Sequence, residues 1–120
     1  MTFENYKKRH MKLNILWIND NKEAFLQMAA LYALKSKTNQ WWDEVNFIIW
    51  GPSAKLAAED TQIQTELFEL KNAGVTLEAC RACTDSYGVT EKLERFGFKV
   101  DYLGESITEY LKNDEKLLTI

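Results

Sequence analysis

Only one proline, five glycines, two cysteines and one histidine occur in these 120 residues, and no apolar run is long. Scarce proline and glycine exclude a collagen-like or low-complexity chain. Two cysteines are too few for a disulfide scaffold, and with His10 they fall short of the four ligands of a structural zinc unless two chains pool their thiols. The lone histidine also leaves Ser53 without a base, which removes a Ser-His nucleophile system. Apolar runs of about five to seven residues cannot cross a bilayer, which takes ~20. There is no excess of positive charge: 15 Lys and Arg stand against 18 Asp and Glu, for a formal −3. That balance removes any broad attraction to nucleic acid or an anionic membrane. Neither a Walker-type loop nor a dinucleotide glycine fingerprint is present, so no cofactor is expected.

The Lys7-Lys8-Arg9-His10 cluster imitates the basic part of a secretion signal. The run behind it, Leu13 to Ile18, is too short and continues into Asn19-Asp20 rather than a small-residue cleavage site. Residues 1–11 therefore read as a solvated polar arm before one domain over 12–120. The expected compartment is cytoplasmic and reducing, where two thiols are no structural staple.

What is present is a core. The chain is 46% hydrophobic and carries fifteen aromatic residues, enough for a single globular domain. Leu13–Ile18 reads as a buried strand, and Phe25, Met28, Ala29 and Tyr32 then recur at helical spacing. Val45–Trp50 is a second strand, ended by Gly51-Pro52, with the proline suited to a helix start. Ile63, Leu67 and Leu70 stripe the next helix, which stops at Gly74. Strands over 75–79, 98–102 and 116–120 alternate with helices marked by Val89, Leu93 and Phe96, then by Ile107, Tyr110 and Leu111. Apolar strands alternating with helices predict an α/β fold, a three-layer α/β/α domain around a mostly parallel five-stranded sheet.

Ligands and chemistry in such folds gather at the carboxyl ends of the strands. Three ends can be read: Asn19-Asp20-Asn21-Lys22, Gly51-Pro52-Ser53, and Cys80 to Cys83. The first lacks the glycine- and serine-rich loop that holds a flavin phosphate, and Asp20 reads as a helix cap. The third places two thiols, three residues apart, where a strand passes into a helix, and backbone N–H groups there lower a thiol pKa. Four readings of the pair stand side by side. Both cysteines are small core residues; or two chains share a zinc; or the pair is a disulfide oxidoreductase; or Cys80 is a nucleophilic thiolate. A thioredoxin-type enzyme needs a proline after the thiols, and Pro52 precedes them.

The chain resembles the DsrE/DsrF-like family, which includes TusD-related sulfur-relay subunits and YchN-like small α/β proteins. The resemblance rests on the Trp50-Gly51 strand end, the Leu70-Lys71-x-x-Gly74-Val75 turn, and a cysteine eight residues before Gly88-Val89. The Gly97-x-x-Val100 strand start, the Ser106-Ile107-Thr108 helix start and the terminal Leu118-Thr119-Ile120 complete it. It implies a flavodoxin-like domain assembled into trimers or hexamers. It also implies that Cys80 accepts a sulfane sulfur from a donor protein and passes it to an acceptor. Arg81 would assist Cys80, and Cys83 would resolve the persulfide or form a disulfide with Cys80. Tyr87 stands where relay subunits often carry arginine. A non-catalytic oligomeric binding module and a thiol redox sensor are the alternatives. Trp41-Trp42, set among polar residues, suits either a subunit contact or the capping of one end of the sheet.

Overall fold

Leu13, Ile15 and Trp17 alternate with Asn14 and Leu16 along the first strand, and all five are buried, so this strand is covered on both faces. The computed structural model describes residues 10–120, and the arm expected over 1–11 lies almost wholly outside them. The elements are β1 (Lys12–Trp17), α1 (residues 22–38), β2 (Glu44–Ile49), α2 (Ser53–Glu59), α3 (Thr61–Asn72) and β3 (Thr76–Cys80). There follow α4 (Arg81–Tyr87), α5 (Thr90–Arg95), β4 (Lys99–Asp101), α6 (Leu103–Lys112) and β5 (Lys116–Thr119).

The five strands form one sheet in the order β4-β3-β2-β1-β5, with every pair parallel. The expected three-layer α/β/α architecture is what the structure shows. Flavodoxin itself runs 2-1-3-4-5; here the strands step outward from β1 to β4, and only β5 crosses back. Parallel crossovers are right-handed. Three steps in one direction therefore put α1 to α5 on one face, and the reversed step puts α6 alone on the other.

The larger core lies under α1 to α5, where Ile15, Trp17, Phe47, Ile49 and Leu77 meet Phe25, Ile63, Leu67, Leu70 and Leu93. Its aromatic centre is tight: Trp17 and Phe25 ring centroids are 4.5 Å apart, and Phe25 meets Phe47 edge-on at 5.9 Å. On the other face the fully buried set is smaller, with Leu16, Ile48 and Cys80 packed against Leu103 and Ile107 of α6. Towards the amino ends of the strands that face turns polar, with Asn14, Asn46 and Glu78 in place of hydrocarbon.

Several local details depart from simple periodicity. Residues Phe25–Ala29 of α1 form a π-helical turn, closed by the Ala30 N–H on Phe25 O. The wider turn rotates Met28 outward to 55% exposure, so the buried stripe runs through Phe25, Ala29, Ala30 and Ala33 instead. Asn21 caps α1 by accepting from the Ala24 N–H at 3.0 Å, the role expected of exposed Asp20. Helix α6 starts at Leu103, three residues ahead of Ser106, and its Leu111 faces solvent. The two tryptophans separate. Trp41 is 58% exposed, while half-buried Trp42 donates its Nε1–H to Tyr32 at 3.3 Å. Gly88 closes α4 in the left-handed conformation, φ 69°, so that Val89 N–H reaches Thr84 O at 2.8 Å.

Asp60 ends α2 and caps α3. Its carboxylate accepts from the Ile63 N–H at 3.0 Å and pairs with Lys22 of α1 at 2.9 Å, and these two contacts hold its pKa below the ordinary 3.8. Replacing it (Asp60→Ala) is expected to lower stability by about 1 kcal/mol at neutral pH. A depressed carboxylate pKa contributes stability that is complete above the unfolded value and lost as pH falls through the folded one. The gap between the two urea-unfolding curves should therefore close in acid. A gap that stays constant below pH 3.8 would contradict the cap and the pair.

Candidate functional site

The carboxyl ends of β1, β2 and β3 are fastened to one another before any chemistry is considered. Trp50 N–H donates to Trp17 O at 3.2 Å, and the Ser53 hydroxyl donates to the same carbonyl at 2.7 Å. Ser53 is fully buried and serves as a structural tie at the start of α2. Asn19 accepts from Trp17 Nε1–H at 3.2 Å and from Asn21 N–H at 2.9 Å, which fixes the turn after β1. Gly51, held at φ +77°, donates its N–H to Cys83 Sγ at 3.3 Å. A side chain at that φ would be strained, so the glycine keeps this N–H aimed at sulfur.

Cys80 is the last residue of β3 and the extended residue leading into α4. It is only 5% exposed, lying beneath Leu103 and Ile107. The polar residues Arg81, Thr84, Asp85 and Ser86 predict an exposed helix start, and that holds for Asp85 and Ser86, while Arg81 is half-buried and Thr84 and the Cys80 sulfur are buried. The sulfur's burial comes from α6, which returns over this strand end. Burial alone would push the thiol pKa up. The backbone N–H groups of Leu103, Cys83 and Ala82, together with the Cys83 thiol, outweigh it and leave Cys80 below its ordinary value. Two helix starts, of α4 and α6, thus converge on one sulfur.

Cys83 behaves oppositely. Burial pushes its thiol up, the Gly51 N–H opposes this, and the neighbouring Cys80 charge raises it further. The two thiols are therefore differentiated, Cys80 ionising more readily than Cys83, and the Gly51 N–H donates to Cys83 Sγ. Neither cysteine is in a disulfide. Arg81 takes no part. Its guanidinium donates to Val100 O at 2.9 Å and stands 3.8 Å from Glu94, facing β4 and α5 rather than Cys80. His10 sits at the opposite end of the sheet, 2.8 Å from Glu44. Among the described residues, no three His, Cys, Asp or Glu side chains are grouped to hold a metal.

Sequence reasoning found both thiols and placed Gly51 at a strand end, but missed Leu103 and the aim of both backbone N–H groups at sulfur, which has no residue signature. It also missed the polar row of Asn14, Asn46, Glu78 and Tyr110. A signal existed there, since an asparagine interrupts β1 and β2 at matching places, Leu13-Asn14-Ile15 and Val45-Asn46-Phe47.

Fold and site together define a small α/β protein with an electrostatically differentiated thiol pair at the carboxyl edge of a parallel sheet. Among solved structures, a conserved protein of unknown function from Bacteroides thetaiotaomicron is 50% identical, with a TM-score of 0.89 over 91% of this chain and 94% of its own. The chain belongs to the family of that protein. The ychN protein of E. coli shares the fold at 15% identity, with a TM-score of 0.63 over 93% of this chain and 100% of its own. No family model matches the sequence, and no curated protein does. No described helix is long and apolar enough to cross a membrane.

A small alkylating probe should modify Cys80 at lower pH than Cys83, as mapped by peptide mass, because a depressed pKa makes thiolate earlier as pH rises. Replacing the donor (Cys83→Ala) should move the Cys80 midpoint upward. A Cys80 midpoint above the ordinary ~8.5 would contradict the arrangement.

Proposed function

We propose that this chain is a DsrE-like cytoplasmic sulfur carrier in which Cys80 accepts sulfane sulfur from a persulfide donor and passes it on. The convergence of three backbone N–H groups and a thiol on Cys80 carries the reading, because it favours an anionic sulfur at a buried position. The shared fold with ychN is in keeping with it. In the step envisaged, the Cys80 thiolate attacks the outer sulfur of a donor persulfide. A bond forms between Cys80 Sγ and that sulfur, the donor's S–S bond breaks, and the donor leaves as a thiolate that takes up, through solvent, the proton given up by the transferred S–H. No electron is gained or lost overall, so no oxidant is required. The new terminal sulfur inherits the negative charge and the N–H groups around it. Because Leu103 covers Cys80, entry follows displacement of the first turn of α6.

A second reading, a thiol redox sensor, is favoured by the contact between the two sulfurs. A hydroperoxide would oxidise Cys80 to a sulfenic acid, and Cys83 would expel water to close the disulfide. Intact mass distinguishes the readings. Incubation with a persulfide donor should add one sulfur to the wild-type chain and to Cys83→Ser, and none to Cys80→Ser. Truncating the cover (Leu103→Ala) should accelerate loading several-fold. A wild-type thiol that neither loads nor alkylates would leave a binding module as the function. Loss of two hydrogens under peroxide, without sulfur loading, would favour the sensor.

Assembly into a homo-oligomer, a trimer or hexamer, belongs to the same proposal. Exposed Trp41, Met28 and Leu31 support it, since large apolar side chains together on a surface suit subunit contact. Light scattering behind size exclusion should give three or six chains per particle, and a monomer at micromolar concentration would refute this.

A further inference from the structure

A parallel sheet covered on both faces is ordinarily hydrocarbon on both. The α6 face breaks that rule across three adjacent strands. Asn14, Asn46 and Thr76 are register partners on β1, β2 and β3, and Glu78 follows on β3. Their bonds form a directed chain. Thr76 Oγ1 donates to Asn46 Oδ1 at 2.8 Å; Asn46 Nδ2 donates to Asn14 Oδ1 at 3.1 Å and to Glu78 Oε2 at 3.2 Å. Asn14 Nδ2 donates onward to Glu115 Oε1 at 3.1 Å and Lys116 O at 3.2 Å. Tyr110 of α6 closes the chain, its phenol 2.9 Å from Glu78 Oε1. Burial and the Glu78 charge hold that phenol well above its usual range, so it is a donor at any physiological pH.

Glu78 is the unusual member. Both its partners, an amide and a phenol, are neutral, and no cation pairs with it among the described residues. Its register neighbour on β4 is Lys99, yet the two do not meet as an ion pair. Instead they line one open cleft of about 520 Å³, with Lys71, Lys12 and Tyr110 on its walls. Lys12 is committed to Glu115 at 3.2 Å and lies over the Tyr110 ring. Lys71 and Lys99 form no ion pair among the described residues. The Lys71 side chain lies across Gly97, where a Cβ would fall on its ammonium, so the glycine leaves room for that charge beside the cleft. A carboxylate fixed by neutral donors thus faces two uncommitted ammonium groups across a space of small-molecule size.

We propose that this cleft binds a small amino-carboxylate zwitterion, a free amino acid or the end of a short peptide, with its ammonium at Glu78 and its carboxylate at Lys71 and Lys99. A simple anion would be repelled by Glu78, and a metal ion would face three lysines, since Glu44, the other carboxylate of the lining, is bonded to His10 at 2.8 Å. A zwitterion alone satisfies both walls. The proposal does not depend on sulfur transfer, because Cys80 lies outside the cleft lining.

The test is calorimetry and ligand-observed NMR on the full chain with the common amino acids. Acetate, methylammonium and inorganic phosphate serve as single-charge probes. At least one amino acid should bind about tenfold or more tightly than all three probes, the equivalent of ~1.4 kcal/mol. Glu78→Gln and Lys99→Ala should each weaken it by about tenfold, whereas Cys80→Ser should bind as wild type does. Lys99 is exposed, so its variant keeps the test open should Glu78→Gln unfold. Absence of amino-acid binding, phosphate or acetate binding as tightly as any amino acid, or an unchanged affinity in Lys99→Ala would each overturn the proposal.

Discussion

Right-handed crossover is the constraint from which the rest of this molecule follows. Because β1 to β4 are laid down in one direction, their connecting helices accumulate on one face, and the return to β5 leaves α6 as the other layer's only member. One ten-residue helix cannot cover five strands. It covers the carboxyl ends, through Leu103 and Ile107, and leaves the amino ends of β2, β3 and β4 open. The closed half excludes water from Cys80. The open half can stay polar only because its amides, hydroxyl and carboxylate satisfy one another.

The two thiols show how backbone geometry differentiates chemically identical groups three residues apart. Desolvation acts on both in the same direction. What separates them is the number of N–H groups each sulfur faces: Leu103, Cys83 and Ala82 for Cys80, and Gly51 for Cys83. Charge on Cys80 raises the Cys83 pKa further, so the two titrations are linked. The asymmetry therefore reinforces itself. Arg81, the most obvious charge in the local sequence, contributes elsewhere by joining β4 and α5 to the strand end.

Much of this was legible in the residues. Apolar runs marked β1, β2 and β3 to within a residue or two, and Gly74, Gly88 and Gly97 marked chain reversals, each at positive φ. The thiols at the end of β3 could be placed because strand and helix periodicities meet there. Other features were not legible, for definable reasons. Strand order depends on which edge the last crossover reaches, and no local residue encodes that. The cover over Cys80 is the side chain of Leu103, remote in sequence, and the N–H that this residue turns to the sulfur has no residue signature. The π turn that displaces Met28 changes the helical period itself, so counting by three and four puts that residue on the wrong face.

The position of β5 has a consequence for how the chain acquires its shape. Asn14 and Lys116, 102 residues apart, are hydrogen-bonded, and Ile18 and Ile120 N–H groups exchange partners with Ile120 O and Leu16 O across the same seam. Strand β1 thus waits, during synthesis, for a neighbour that emerges from the ribosome long after it. Until then β1 offers a bare edge to any extended peptide nearby. High contact order of this kind slows folding and prolongs exposure to aggregation.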